Sequence, residues 1–242
     1  MIDLRCGDCL EVMKQIPDKS VDMILCDLPY GSTDCKWDTV IPFDKLWEQY
    51  NRIIKDNGVI VLFGTEPFAS HLRMSNLKMY KYDWVWNKGT HSNPLLAKKQ
   101  PLRVYENICV FYKKQPTYKP QMVQGKPYKK DYGYKPHNTE TFGKTILKDN
   151  DNLTGLRYPI NIISVGQPKN NRQYNHPTQK PVALCEYLIK TYTNQNDLVL
   201  DNCMGSGTTG VACKHLNRNF IGIELDENYF EIAKNRIESE LL

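Results

Sequence analysis

Asp197-Leu-Val-Leu-Asp-Asn-Cys-Met-Gly-Ser-Gly-Thr-Thr-Gly210, with Asn219-Phe-Ile-Gly-Ile-Glu224 a few residues later, decides the fold. Leu198-Val199-Leu200 is a short apolar run closed by polar residues, the pattern of a buried parallel strand. Gly205 to Gly210 reads G-x-G-x-x-G. Such a segment bends the chain sharply, lets a ligand approach the backbone and opens a helix. Phe220 to Ile223 reads as the next strand, and Glu224 closes it nineteen residues beyond Gly205. A carboxylate at that point of a βαβ unit accepts hydrogen bonds from two ribose hydroxyls. Strand, glycine turn, helix and acid together predict a site for an adenosine-bearing cofactor.

Asp201 bears on which cofactor that is. A dinucleotide sets its pyrophosphate at the helix N-terminus, where free N–H groups and the dipole attract negative charge. Here an acid ends the strand just before the glycines. A carboxylate there repels phosphate and suits a cation, such as the amino group of S-adenosylmethionine. The stretch therefore favours S-adenosylmethionine over NAD.

Working outward, the chain of 242 residues suits one domain, or one domain with an insertion. Apolar runs at Val21–Cys26 and Val59–Phe63 read as buried strands, and Tyr82–Trp86 and Asn107–Tyr112 as further strands. Between them lie helical patterns. Cys9–Ile16 is one, and Pro42–Lys55 is the clearest, with Asn57-Gly58 as its C-cap signal. Glu66–Leu77, a helix opened by Pro181, and Asp226–Leu242 are others. The alternation predicts an α/β fold with a doubly wound, mostly parallel sheet. From Lys113 to about Asn175 the pattern fails, and prolines, glycines and tyrosines dominate. That stretch reads as an insertion without a core of its own. Trp84 and Trp86 read as core.

No apolar run is long enough to span a membrane, and Met1–Arg5 leads straight into a folded-looking segment rather than a secretory leader. Several cysteines sit inside apolar runs, which suits reduced thiols and a cytoplasmic protein. Cys6-Gly-Asp-Cys9 is a lone C-x-x-C with no second pair, so no metal site is expected. Charge is uneven. Residues 113–137 hold seven lysines against one acid, Asp131, which more than accounts for the net +5 of the chain. A local block of this kind points to a polyanion.

Asp27-Leu28-Pro29-Tyr30 ends the Val21–Cys26 strand, as Asp201 and Glu224 end theirs. In an open α/β sheet the carboxyl ends of the strands form the ligand crevice, so these turns should face one site. The Asp27 carboxylate and the Leu28 carbonyl can accept both hydrogens of an exocyclic amino group. That leaves the nitrogen lone pair free to attack a methyl group in line. Tyr30 offers a face for stacking a base taken out of a duplex.

On these residues the chain resembles the DNA amino-methyltransferases, S-adenosylmethionine-dependent enzymes acting on adenine N6 or cytosine N4. Asp27–Tyr30 is similar to their D-P-P-Y motif, with Leu28 in place of the first proline. The order of catalytic motif, basic segment, His176-Pro-Thr-Gln-Lys-Pro181 and cofactor loop resembles their circularly permuted β group. The resemblance implies a class I, Rossmann-like methyltransferase domain over 1–242. Residues 1–112 would form a catalytic half, 113–175 a target-recognition insertion and 176–242 a cofactor-binding half.

By the same resemblance Asp8, with Cys9, belongs to the segment that holds the adenine of the cofactor. Asp201, Asn202, Cys203, Gly205, Ser206 and Gly207 match the cofactor loop, with Asn202 and Cys203 replacing proline and phenylalanine. Glu224, followed by Leu225, matches the ribose-binding acid, and Thr178 and Lys180 lie near the cofactor. Lys113, Lys114, Lys126, Lys129, Lys130 and Tyr132 would supply phosphate and stacking contacts to double-stranded DNA. Lys98, Lys99 and Arg103 extend the patch.

An aspartate opening the catalytic motif leans towards adenine N6, with cytosine N4 as the alternative. RNA, a protein amide, an NAD-linked oxidoreductase and a non-catalytic DNA-binding module are the remaining readings. Restriction-modification and nucleoid association follow from the resemblance. It leaves room for a homodimer and for a cognate restriction endonuclease.

Overall fold

The structure is a computed structural model that describes residues 1–31, 38–92, 94–129, 135–139, 143–147, 151–166 and 179–239, with backbone only at 92, 135–139 and 143–147. The chain divides into two compact units, Met1–Lys119 with Asn161–Leu242, and Pro120–Ile160.

The larger unit contains β1 (Ile2–Cys6), α1 (Cys9–Met13), β2 (Val21–Cys26), α2 (Phe43–Ile53), β3 (Ile54–Gly64), α3 (Phe68–Ser75), β4 (Tyr80–Ser92) and β5 (Arg103–Phe111). After the smaller unit, which holds β6 (Val123–Gln124), β7 (Lys135–Thr139), β8 (Gly143–Leu147) and β9 (Leu156–Arg157), come β10 (Ile162–Ser164), α4 (Val182–Tyr192), β11 (Leu198–Asp201), α5 (Thr208–His215), β12 (Asn219–Glu224) and α6 (Glu227–Ser239). Eight strands form one sheet in the order β1-β12-β11-β2-β3-β5-β4-β10. Every described pairing in it is parallel except those of β5 with β3 and β4.

The sheet is buried on both faces, which is why its strands read as continuous apolar runs. Met23, Leu25, Val61 and Phe63 point into one core, shared with α4, α5 and α6. Ile24, Cys26, Ile60 and Leu62 point the other way, into a core shared with α1, α2 and α3. Trp84 and Trp86 are buried in the first core, as their apolar setting indicated. In α2 the buried Leu46, Trp47, Tyr50 and Ile53 fall on one face, the helical spacing seen in the sequence.

Two sequence expectations change. Asn57-Gly58 is no helix cap. Helix α2 stops at Ile53 and the chain passes directly into β3, which contains both residues. A Cβ at Gly58 would stand 2.8 Å from the Ile54 side chain and 2.9 Å from the Asp22 carbonyl, so close packing, not a turn, requires this glycine. The stretch 113–175 is also not one segment. Lys113–Lys119 and the residues from Asn161 onward lie in the larger unit, and Ile162–Ser164 pairs with Val85–Asn87 as the edge strand β10. Three residues are too few to show a period.

In the smaller unit β6 pairs with β9 and β7 with β8, all antiparallel. The Arg157 guanidinium lies 5.8 Å from the Tyr128 ring centre. No apolar side chain described in this unit is buried.

Candidate active site

The chain runs from β2 to β3 in one direction along the sheet and from β11 to β12 in the other. The strand order therefore reverses between β2 and β11, and a crevice opens at the carboxyl ends of the strands on either side of such a point. Asp27 follows β2, Asp201 ends β11 and Glu224 ends β12. These are three successive strands of the sheet, so the acids read from the sequence as strand ends are brought to one edge.

The Asp27 turn is held from several sides. Leu28 is buried and anchors it in the core of α1, α2 and α3. The backbone N–H groups of Tyr30 and Gly31 donate to Asp38 Oδ1 at 2.7 and 2.9 Å. The Tyr30 ring packs on Phe68 with 4.8 Å between centres, and its hydroxyl donates to Asp27 Oδ1 at 2.5 Å. Burial, and then the Asp27 charge, push the Tyr30 hydroxyl well above its ordinary pKa, so it remains a donor. The other carboxylate oxygen, Asp27 Oδ2, accepts from Lys180 Nζ at 2.5 Å. Lys180 is only 9% exposed and also lies 3.4 Å from Glu106 Oε2. Burial opposes its charge, but Asp27 and Glu106 outweigh that and raise its pKa. Lys180, which the resemblance puts near the cofactor, is paired with the Asp27 turn.

The glycine loop is built to hold Glu224 in place. Glu224 Oε2 accepts from Gly205 N at 2.8 Å and Oε1 from Asp226 N at 2.9 Å. Burial pushes its carboxyl up, against these backbone donors. Gly205 (φ 52°) has open space where a Cβ would stand, so a ligand can approach its backbone. Gly207 (φ 80°) opens α5 and sits against Ala233 of α6. Asp8 is exposed and caps α1 by accepting from Leu10 N at 2.7 Å. Leu225 is 63% exposed beside Glu224, an apolar surface open to a flat ring.

Other loop residues face inward. Asn202 is buried, and its Oδ1 accepts from the Tyr50 hydroxyl at 2.5 Å. Ser206 is buried and donates to Gln179 Oε1 at 2.9 Å. The half-buried Cys203 Sγ accepts from Asn202 Nδ2 at 3.5 Å, and the neighbouring Cys26 and Cys9 thiols push its own thiol up. The hydrogen bond with Cys203 lowers the Cys9 thiol, whereas burial pushes Cys26 up to about 12.

Asp201, read from the sequence as suited to a cation, is bonded within the loop. It is 4% exposed, its Oδ2 accepts from Thr209 Oγ1 at 2.6 Å and its Oδ1 from Cys203 N at 3.2 Å. Burial pushes its carboxyl up to about 7. Asp201 ties the loop to the first turn of α5. Residues 201–210 carry no lysine or arginine, and Arg236 of α6 spends its donors on Ser206 and Thr208. Acids at the strand ends without a lysine or arginine in the loop suit adenosine attached to a cationic group better than a pyrophosphate.

Thr178, Lys130 and Tyr132 lie outside the described residues. Lys126 and Lys129 belong to the smaller unit. Lys113 and Lys114 do not face the crevice. Lys113 Nζ donates to the Asn51 carbonyl at 3.0 Å, and Lys114 Nζ lies 3.8 Å from Asp56 Oδ2, at the amino end of β3. Because β5 runs antiparallel to β3, its exit leads away from the carboxyl ends. Lys98 and Lys99, between β4 and β5, are exposed on the crevice side. Glu106 and Lys88, joined at 3.0 Å, escaped the sequence reading. Acids at strand C-termini mark the crevice of a parallel sheet, but in the antiparallel β5 it is the amino end that reaches the crevice. An acid just before Asn107–Tyr112 was the available signal.

A family profile described as DNA methylase matches residues 21–235. The chain is similar to the type II methyltransferase M.HpaI of Haemophilus parainfluenzae, with 29% identity over 98% of this chain and 74% of the relative. It is also similar to the crystal structure of the M1.HpyAVI–SAM complex, with a TM-score of 0.65, 28% identity and coverage of 98% of this chain and 99% of the other. The PvuII cytosine-N4-specific DNA methyltransferase shares the fold, with a TM-score of 0.69 at 16% identity over 99% of this chain and 90% of the other.

Proposed function

Given that this chain belongs to the DNA methylase family and is an S-adenosylmethionine-dependent DNA methyltransferase, we propose that its target is the exocyclic N6 of an adenine turned out of duplex DNA. The supporting observation is that the Asp27 turn and the Glu224 loop close the ends of β2 and β12, on either side of β11. That spacing suits a base on one side and an adenosine on the other.

When bound, the cofactor supplies a sulfonium methyl, whose carbon–sulfur bond breaks towards sulfur as the amine lone pair forms the carbon–nitrogen bond. Asp27 accepts one amine hydrogen and the Leu28 carbonyl the other. Both bonds pull the lone pair out of conjugation with the ring and aim it at the methyl carbon. The nitrogen then carries one proton too many, and Asp27 is placed to receive it. Tyr30 fixes Asp27 through its hydroxyl and offers its ring to the base. Glu224 would accept from the ribose of the cofactor, and Asp8 and Leu225 would hold its adenine. The smaller unit and the exposed Lys98 and Lys99 engage the DNA backbone.

The opening aspartate of the Asp27–Tyr30 motif supports adenine, and cytosine N4 is the second reading. The test is labelled methyl transfer to duplex DNA, single-stranded DNA and RNA, followed by nucleoside mass spectrometry. N6-methyldeoxyadenosine from duplex DNA is expected. N4-methyldeoxycytidine would establish the second reading, and methylation of RNA alone would overturn both.

A further inference from the structure

In the structure the protein's own donors occupy both oxygens of the carboxylate assigned to the target amine. Tyr30 holds Asp27 Oδ1 and the Lys180 ammonium holds Oδ2 at 2.5 Å. Lys180 therefore stands where an N–H of the substrate would bind. It cannot simply leave, because a buried ammonium stripped of its partner is strongly disfavoured.

A second partner waits beside it. Glu106 Oε2 is 3.4 Å from Lys180 Nζ, is buried, and has no hydrogen-bond partner among the described residues. The other oxygen of that carboxylate, Oε1, accepts from Lys88 Nζ at 3.0 Å. We propose that Glu106 is a positioning residue: Lys180 moves from Asp27 to Glu106 as the target amine enters, and this frees Asp27 Oδ2 for the amine. The proposal rests on the reading of Asp27 as the amine acceptor.

The move is small. Shortening 3.4 Å to an ordinary charge-assisted hydrogen bond takes roughly 0.5–1 Å, within reach of a lysine tip. It also shifts no net charge, because Asp27, Lys180, Glu106 and Lys88 alternate in sign along one chain. Lys180 stays over the Phe63 ring, 5.2 Å from its centre, so part of its environment can persist through the move. Burial would push the Glu106 carboxyl up, but Lys180 and Lys88 hold it below its ordinary value, so it is ionised and ready to accept at neutral pH. The rival role for Lys180 is to bind the carboxylate of the cofactor directly.

The experiment uses the full chain and a double-mutant cycle over Glu106→Gln and Lys180→Met. Parent protein that methylates no DNA would overturn the proposed function itself. With active parent, Glu106→Gln should leave the S-adenosylmethionine Kd within twofold and slow single-turnover methylation at saturating DNA at least tenfold. In the Lys180→Met background Glu106→Gln should change the rate less than twofold. A parental rate in Glu106→Gln would overturn the inference. So would a full additive loss in the double variant, which marks a merely structural role. A tenfold loss of cofactor affinity in Lys180→Met would assign the ammonium to the cofactor instead. Should Glu106→Gln fail to fold, Glu106→Asp, which keeps the charge beside Lys88 on a shorter arm, enters the same cycle with the same criteria.

Discussion

Replacing Tyr30 by phenylalanine removes one oxygen and tests the geometry of the Asp27 turn. Its ring would keep its 4.8 Å packing on Phe68, so the face offered to a base is unchanged. What disappears is the hydroxyl that donates to Asp27 Oδ1 at 2.5 Å, a length typical of a hydrogen bond to an ionised acceptor. Such bonds contribute about 1.5–3 kcal/mol. Lys180 would still hold Asp27 Oδ2 before the amine enters, but once Oδ2 is given to the amine the carboxylate would be free to rotate. If the missing energy appears wholly in the alignment of the amine, single-turnover methylation slows by roughly 10- to 150-fold. S-adenosylmethionine affinity should not change, because Tyr30 lies on the far side of β11 from Glu224. Stacking alone predicts the opposite for this variant, namely almost no effect. Tyr30→Ala should add the loss of the ring, about 1–3 kcal/mol of base capture. The assay is single-turnover methyl transfer with cofactor binding measured separately by calorimetry. A Tyr30→Phe rate within twofold of the parent would show that the hydroxyl does not orient Asp27.

Glu224→Gln should weaken S-adenosylmethionine binding by about 1.5–3 kcal/mol, since the carboxylate is fixed by Gly205 N and Asp226 N and offers its remaining lone pairs to the ribose; an unchanged calorimetric Kd would remove it from the pocket. Asp201→Asn should flatten the dependence of stability on pH. The folded carboxyl, raised to about 7 from an ordinary 3.8, holds a proton that the unfolded chain releases, so its contribution is full below 3.8 and is lost as pH rises through 7. Melting temperatures of the parent and the variant should therefore converge at low pH and diverge, with the variant higher, above neutrality; parallel curves would refute the burial argument. Lys98→Ala with Lys99→Ala should lower the salt dependence of DNA binding by about 0.9 in log–log slope for each phosphate no longer neutralised. Lys113→Ala with Lys114→Ala should leave the slope unchanged, and the reverse result would move the DNA to the other end of the sheet.

Much of the site was legible because its residues obey local rules. Glycines at 205 and 207, an acid closing each apolar run and the Asp27 turn carry their meaning in a few consecutive positions. Residues that act across the sheet were not legible in this way. Glu106 looked like an ordinary acid at the start of a strand, because only the antiparallel run of β5 carries that end to the crevice. Asp38 pins the Asp27 turn through backbone donors, a pairing no periodicity announces. Tyr50 read as one more apolar position of α2, although its hydroxyl reaches Asn202 far along the chain.

The sequence by itself determined the layered α/β sheet, the three acids at strand ends, the glycine turn and the burial of the tryptophans. Each of these follows from hydrophobic period, strand punctuation and the backbone freedom of glycine, all of which act between near neighbours. The tertiary structure alone decided what each charge meets. It turned Asp201 inward onto Thr209, set Lys180 between two carboxylates and carried Lys113 and Lys114 away from the crevice. Strand direction and burial control those pairings, and both depend on how distant segments pack against one another.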